Sequence, residues 1–152
     1  ENPHGLTMTE EHDIVYRAAA QAGDPAPTPI AAEAGAAWQR EVRADDVLLF
    51  RYSALTFNGH RIHYDQPYVT KVEGYPGLVV HGPFAQQCLF ALLRDSMPGR
   101  RIRTFGVRAR APLFDTAPFD VVGRPTADGK GAELWTVTPQ GTIAAQATAT
   151  FA

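Results

Sequence analysis

The sequence predicts an α+β domain in which a curved antiparallel sheet wraps one long central helix. The stretch FAQQCLFALLRD carries apolar residues on nearly all sides, with Gln86 and Gln87 the polar interruption, and a helix of that kind is covered by other structure. Four β-favouring stretches follow it, at 102–110, 119–124, 133–138 and 142–151, separated by APLFDTAP, Asp128-Gly129 and Pro139-Gln140-Gly141. The 152 residues, 45% hydrophobic and 20% charged, suffice for one domain with a core. One sheet curled around one helix covers both apolar surfaces most economically.

The elements follow in order. In residues 1–17, HDIVYR (His12 to Arg17) reads as a short strand, which so short a segment cannot pack alone. It either closes the main sheet or ends a preceding unit. Residues 18–36 hold three prolines, many alanines and a single large aliphatic residue, Ile30, and read as a linker. The domain proper is then 37–152. A strand is expected at Trp38 to Val42, and Asp45 is placed to N-cap a helix in which Leu48, Tyr52 and Leu55 recur at i, i+4 and i+7, widened by Val47, Phe50 and Ala54. Gly59 and its polar neighbours turn the chain into a loop. Tyr75-Pro76-Gly77 makes a turn, and Gly82-Pro83 opens the apolar helix, Pro being suited to a first helical position.

Composition excludes several function classes. A net charge of −2 leaves no basic surplus for nucleic acid. No apolar run approaches the ~20 residues that span a bilayer, and the start, ENPHGLTMTEEHD, has no basic region followed by an apolar stretch. The expectation is a cytoplasmic protein without membrane association. The single cysteine, Cys88, forms no internal disulfide and reads as a core residue of the helix.

The chemistry concentrates in TFNGHRIHYD, residues 56 to 65. His63 is the natural acid/base, since imidazole takes and gives a proton near neutrality. Asp65 is a carboxylate able to orient it or share the proton, and Asn58 can hold a water or a carbonyl but carries no proton. Two other readings stand beside this one: a polar turn that caps its own backbone, and a metal site built from His60, His63 and Asp65. His81 reads as a histidine satisfied by capping or local hydrogen bonding. Gly82, at a helix N-terminus, offers a free backbone N–H and room for close approach, as a thioester carbonyl developing charge requires. Arg100, Arg101, Arg103, Arg108 and Arg110 are either the solvated side of a strand or contacts for the phosphates of a nucleotide-bearing substrate such as coenzyme A. Phe57, Tyr64, Tyr68 and Tyr75 are the aromatic candidates for lining an acyl pocket. The glycines of DGKGAE lack the strand and Ser/Thr of a phosphate loop and read as a hairpin turn.

YSALTFNGHRIHYDQPYV followed by GYPGLVVHGPF resembles the MaoC-like hydratases and dehydratases of the hot-dog fold, most closely their type 2 hydroxyacyl-thioester dehydratase branch, from Trp38 to the C-terminus. The resemblance implies a long helix embraced by an antiparallel sheet, and reversible hydration of an enoyl thioester carried on coenzyme A or an acyl carrier protein, with no cofactor and no metal. It also implies a site at the interface of two hot-dog units, and so a homodimer or pairing with a second unit. On the family motif Asp-x-Asn-Pro-hydrophobic-His-x-Asp-Pro, the histidine falls on His63 and the final aspartate on Asp65, while Asn58 stands where the catalytic aspartate is expected and His60 where the asparagine is. The resemblance thus leaves Asp65 or His60 as partner to His63 and puts the carbonyl-binding amide on Gly82. A hot-dog thioesterase and a non-catalytic thioester-binding subunit are the alternatives; Gln86 and Gln87, where thioesterases place a carboxylate, count against the first.

Overall fold

The structure, a computed structural model, describes residues 2–14 and 28–152. Its elements are strand β1 (Trp38–Val42), helix α1 (Asp46–Leu55), a 3-10 turn (Arg61–His63), helix α2 (Gln66–Lys71), helix α3 (Gly82–Ser96), and strands β2 (Ile102–Ala109), β3 (Phe119–Pro125), β4 (Gly131–Val137) and β5 (Ile143–Phe151). The strands form one antiparallel sheet in the order β1-β3-β4-β5-β2, open at both edges. Helix α3 lies across β3, β4 and β1, and an Arg40–Asp95 ion pair of 3.0 Å ties its C-terminal end to β1. Among the described residues no helix is long and apolar enough to cross a membrane.

Each helix start has a local cause. Asp45 caps α1 by accepting the Leu48 N–H at 2.8 Å. Asp65 caps α2 by accepting the Tyr68 N–H at 3.0 Å, and Pro67 sits in the first turn, where its missing N–H costs nothing. Helix α2 falls in a segment read as loop from sequence, although Asp65 two residues before a proline is a start signal.

Two expectations about apolar faces are corrected. Helix α1 buries Leu49 and Ser53, one position round from the expected stripe, and leaves Leu55 81% and Phe50 60% exposed. Helix α3 buries Ala85, Leu89, Leu92 and Leu93, the i, i+4, i+7, i+8 face that meets the sheet. Its other face is bare: Phe90 is 39% exposed, and with Pro83, Gln86, Gln87, Ala91, Arg94 and Phe105 it lines an open groove. An open five-stranded sheet covers one side of a helix, not its whole circumference.

The described end of the linker is anchored on the sheet. The Ile143 N–H bonds to Ile30 O at 2.8 Å and the Ala32 N–H to Gly141 O at 2.9 Å. Ala32 packs against Val122, Trp135 and Ile143, and Arg124 binds both Glu33 and Glu133. Of the expected N-terminal strand, residues 12–14 carry no regular structure and 15–17 lie outside the described residues, as do linker residues 18–27.

Candidate active site

The site begins where α1 ends. Phe57 takes a left-handed backbone conformation, φ 53°, uncommon for a residue with a side chain, which turns the chain so that the Asn58 N–H reaches back to Ser53 O at 2.9 Å. The Asn58 side-chain oxygen then accepts the His60 N–H at 3.0 Å, closing an Asx turn. These bonds feed the 3-10 turn that carries His63 inward until it is 7% exposed.

Across from this turn runs the segment before α3. The Val79 N–H bonds to Ile62 O at 2.9 Å, the Val80 N–H to Leu113 O at 2.8 Å and the Asp115 N–H to Leu78 O at 3.0 Å, while Asp115 Oδ1 accepts the Leu78 N–H at 2.8 Å. So strapped, the Val79 carbonyl meets His63 Nδ1 at 2.7 Å. A carbonyl can only accept, so Nδ1 carries the ring proton and Nε2 keeps a lone pair. Gly77 permits the strap: a Cβ there would overlap the Asp115 carboxylate and come within 2.7 Å of the Thr116 methyl. Gly77→Ala is expected to destabilise the fold by about 1–3 kcal/mol, read as a lower midpoint in denaturant at unchanged m-value; an unchanged midpoint would show that the strap gives way freely.

His81 corrects its sequence reading. It is the N-cap residue of α3, yet its side chain makes no capping bond. Instead its ring, 1% exposed, stacks on His63 with centroids 3.7 Å apart and planes at 16°. Its Nε2 lies 2.8 Å from Ser53 Oγ, Tyr52 packs near it at 4.8 Å, and Nδ1 has no partner. Burial pushes the His81 imidazole down to about 4, the neighbouring His63 adding to the effect. Burial also lowers His63, opposed by the Val79 carbonyl and assisted by His60. Both rings are therefore neutral at neutral pH, and His63 presents a basic Nε2.

The remaining candidates divide. His60 stands edge-on to His63 at 5.7 Å and is exposed. Asp65 is not joined to a histidine: Arg61 donates to Oδ2 from Nε at 3.0 Å and Nη2 at 2.8 Å, and Oδ1 holds the Tyr68 N–H. Arg61 first, then that N–H, keep the Asp65 carboxyl below its usual range. His60, His63 and Asp65 thus do not converge, and among the described residues no three His, Cys, Asp or Glu side chains gather as a metal site. Gly82 opens α3, and a Cβ on it would meet nothing within 4 Å. As the first helical residue its N–H lacks an intrahelical acceptor.

Of the aromatic candidates, Tyr64 donates to the backbone oxygen of Gly59 at 2.9 Å and Tyr68 to the side-chain Oε1 of Glu73 at 2.6 Å, so both hydroxyls are engaged locally. Tyr75 packs on Phe114, and Phe57 is 96% exposed. Arg108 is exposed on the edge strand β2, and Arg110, just beyond it, donates from Nε to Gln146 Oε1 at 3.0 Å. Ser53, the Val79 carbonyl and Asp115 escaped the sequence reading. Ser53 left no signal, because it lies one turn after Leu49, on the side of α1 outside the expected Leu48, Tyr52 and Leu55 stripe.

An antiparallel sheet against one helix is the hot-dog architecture, here with a histidine turn stacked at that helix's N-terminus. Solved structures share the architecture: the ChsH1–ChsH2 complex from Mycobacterium tuberculosis, with TM-score 0.65 and 15% identity over 75% of this chain and 91% of that one, and the (R)-hydratase from A. caviae involved in PHA biosynthesis, with TM-score 0.61 and 18% identity over 73% and 89%. The family model described as hydroxyacyl-thioester dehydratase type 2 matches residues 1–115. The mesaconyl-C(4)-CoA hydratase of Chloroflexus aurantiacus is 49% identical over 146 residues, 94% of this chain and 50% of the relative. The chain belongs to the hydroxyacyl-thioester dehydratase type 2 family, and it spans half or less of the length of the curated relatives it matches.

Proposed function

We propose that this chain catalyses the reversible hydration of an enoyl thioester carried on coenzyme A or an acyl carrier protein, as a cytoplasmic enzyme without metal or further cofactor. The observation that carries the reading is the fixed tautomer of His63, a buried neutral imidazole with Nδ1 tied to Val79 and Nε2 left basic. His63 Nε2 takes a proton from water as the oxygen bonds to Cβ of the enoyl group. The double-bond electrons move toward the thioester oxygen, where the Gly82 N–H stabilises the developing charge. The imidazolium returns the proton to Cα, and the C=O re-forms. Asn58 has its side-chain oxygen engaged, so its amide N–H groups are the part able to hold the water. His60, beside His63, is the second proton group, and Asp65 shapes the loop through Arg61 and the α2 cap. Phe57, Tyr64, Tyr68 and Tyr75 border the acyl group, and Arg108 and Arg110 serve the phosphates of coenzyme A.

The partner is a second hot-dog unit, in another copy or another chain. This is supported by the apolar residues left bare on α1 and α3, with Val47 57%, Leu55 81% and Phe90 39% exposed, by the half-length match to a relative, and by the pairing of chains in the ChsH1–ChsH2 complex.

The test is a spectrophotometric hydration assay on crotonyl- and mesaconyl-CoA, with mass measured in solution. Loss of enoyl absorbance without free thiol, on a particle larger than one chain, is the expected result. Free coenzyme A released together with an acid that keeps its double bond would make the protein a thioesterase, and tight binding without turnover would make it a binding subunit.

A further inference from the structure

Proton transfer at His63 and charge stabilisation at Gly82 leave His63's stacking partner unexplained: position 81 is a buried imidazole with one ring nitrogen bare. Burying a polar ring costs free energy unless it is bonded, and a phenylalanine ring would fill similar space without that cost. Among the described residues the Ser53 hydroxyl, also buried, is the only group bonded to the His81 ring, across 28 residues of sequence. A buried N–H without an acceptor is rarer and costlier than a bare lone pair. The His81 proton therefore sits on Nε2 and is donated to Ser53 Oγ, leaving the lone pair on Nδ1.

We infer that Ser53 and His81 are positioning residues for His63: the serine on α1 fixes the plane of the His81 ring, and that ring, stacked at 3.7 Å, fixes the plane in which His63 Nε2 meets its water. This rests on the proposed hydration and names the residues that orient its base. The column is layered from three elements. Tyr52 of α1 packs on His81, His81 at the start of α3 packs on His63 of the 3-10 turn, and His60 closes the far edge. No carboxylate bonds to either buried ring among the described residues, so the faces of the stack are Tyr52, His60 and each other. Stacked rings transfer no proton through their faces. His81 works by staying neutral and in place, so that the pair carries a single positive charge, on His63, when the water is deprotonated.

The test pairs steady-state hydration kinetics with the ¹⁵N spectrum of the histidine rings, the His63 signals assigned by their loss in His63→Asn. Ser53→Ala and His81→Gln are each expected to lower kcat about 10-fold with KM within about twofold, and to turn the single Nδ1–H pattern of His63 into a mixture of tautomers. His81→Phe, which keeps the stacked plate, is expected to retain more of kcat than His81→Gln. Wild-type kcat and a wild-type His63 pattern in Ser53→Ala would overturn the inference, as would equal losses in the Phe and Gln variants. If the wild-type protein hydrates no enoyl thioester, the proposed function fails, whereas the ¹⁵N pattern still decides the positioning.

Discussion

Alanine at position 63 is expected to lower kcat/KM for enoyl-thioester hydration by about 10²–10⁴-fold, the range for losing a positioned general base. The size follows from the absence of a bonded substitute. Asp65 is committed to Arg61 and the Tyr68 N–H, His81 offers a ring face and is held near 4, and Asn58 carries no proton at neutral pH. The remaining imidazole, His60, stands edge-on at 5.7 Å between ring centroids, and under the proposed reading any residual rate would come through it. The fold should survive, because the variant loses one side-chain hydrogen bond, worth about 1 kcal/mol net, and one stacking contact, against a core built on α3 and the sheet. Thermal melting and circular dichroism check this. A folded variant keeping more than about a tenth of wild-type kcat/KM would remove His63 from the base role. The pH profile carries the same argument. Burial lowers the His63 pKa, and the base must be neutral, so the acid limb of kcat/KM is expected below the ordinary 6.5 of histidine. A limb above 6.5 would assign the proton chemistry to another group.

What the sequence made legible, and what it hid, divides by the range of the interaction. The four C-terminal strands are legible in β-favouring stretches bounded by turn residues, and α3 in an apolar run opened by Gly82-Pro83, which are properties of neighbouring residues. The histidines of the loop were found because their chemistry is visible in one letter, but their partners were not. The Val79 carbonyl lies 16 residues from His63, Ser53 28 from His81 and Asp115 37 from Leu78, and no local pattern encodes those meetings. Asp65 is the instructive opposite. Both of its engagements are short-range, with Arg61 at i−4 and the Tyr68 N–H at i+3, so its role as cap and ion-pair partner was within reach of spacing rules. The apolar surplus of α1 and α3 misled for another reason. A pattern records which residues avoid water in the working protein, and it does not separate those buried in their own domain from Leu55 or Phe90, which are bare in this chain.

Between about pH 6.5 and 4 the folded state should lose about 3 kcal/mol through His81 alone. In the native chain the ring is 1% exposed and its pKa is pushed from the ordinary 6.5 down to about 4, whereas in the unfolded chain it titrates near 6.5. Within that window the unfolded state binds the proton and the native state refuses it, so stability present above 6.5 is lost as pH falls through the window and is gone below the native value. His63, lowered for the same reason, adds in the same direction. The carboxylates do not mimic this. Asp65, Asp95 and Asp128 are lowered by their hydrogen bonds and ion pairs, so most of their loss falls below about 3.8. Asp115, raised chiefly by burial, works with the opposite sign and favours the fold at low pH. For a domain of 152 residues, about 3 kcal/mol corresponds to roughly 6–12 °C in Tm. The comparison that isolates it is Tm against pH for wild type and His81→Phe. The variant keeps a ring in the stack but cannot be protonated, so its curve should be flatter from 6.5 to 4, and two parallel curves would place the acid sensitivity elsewhere in the molecule.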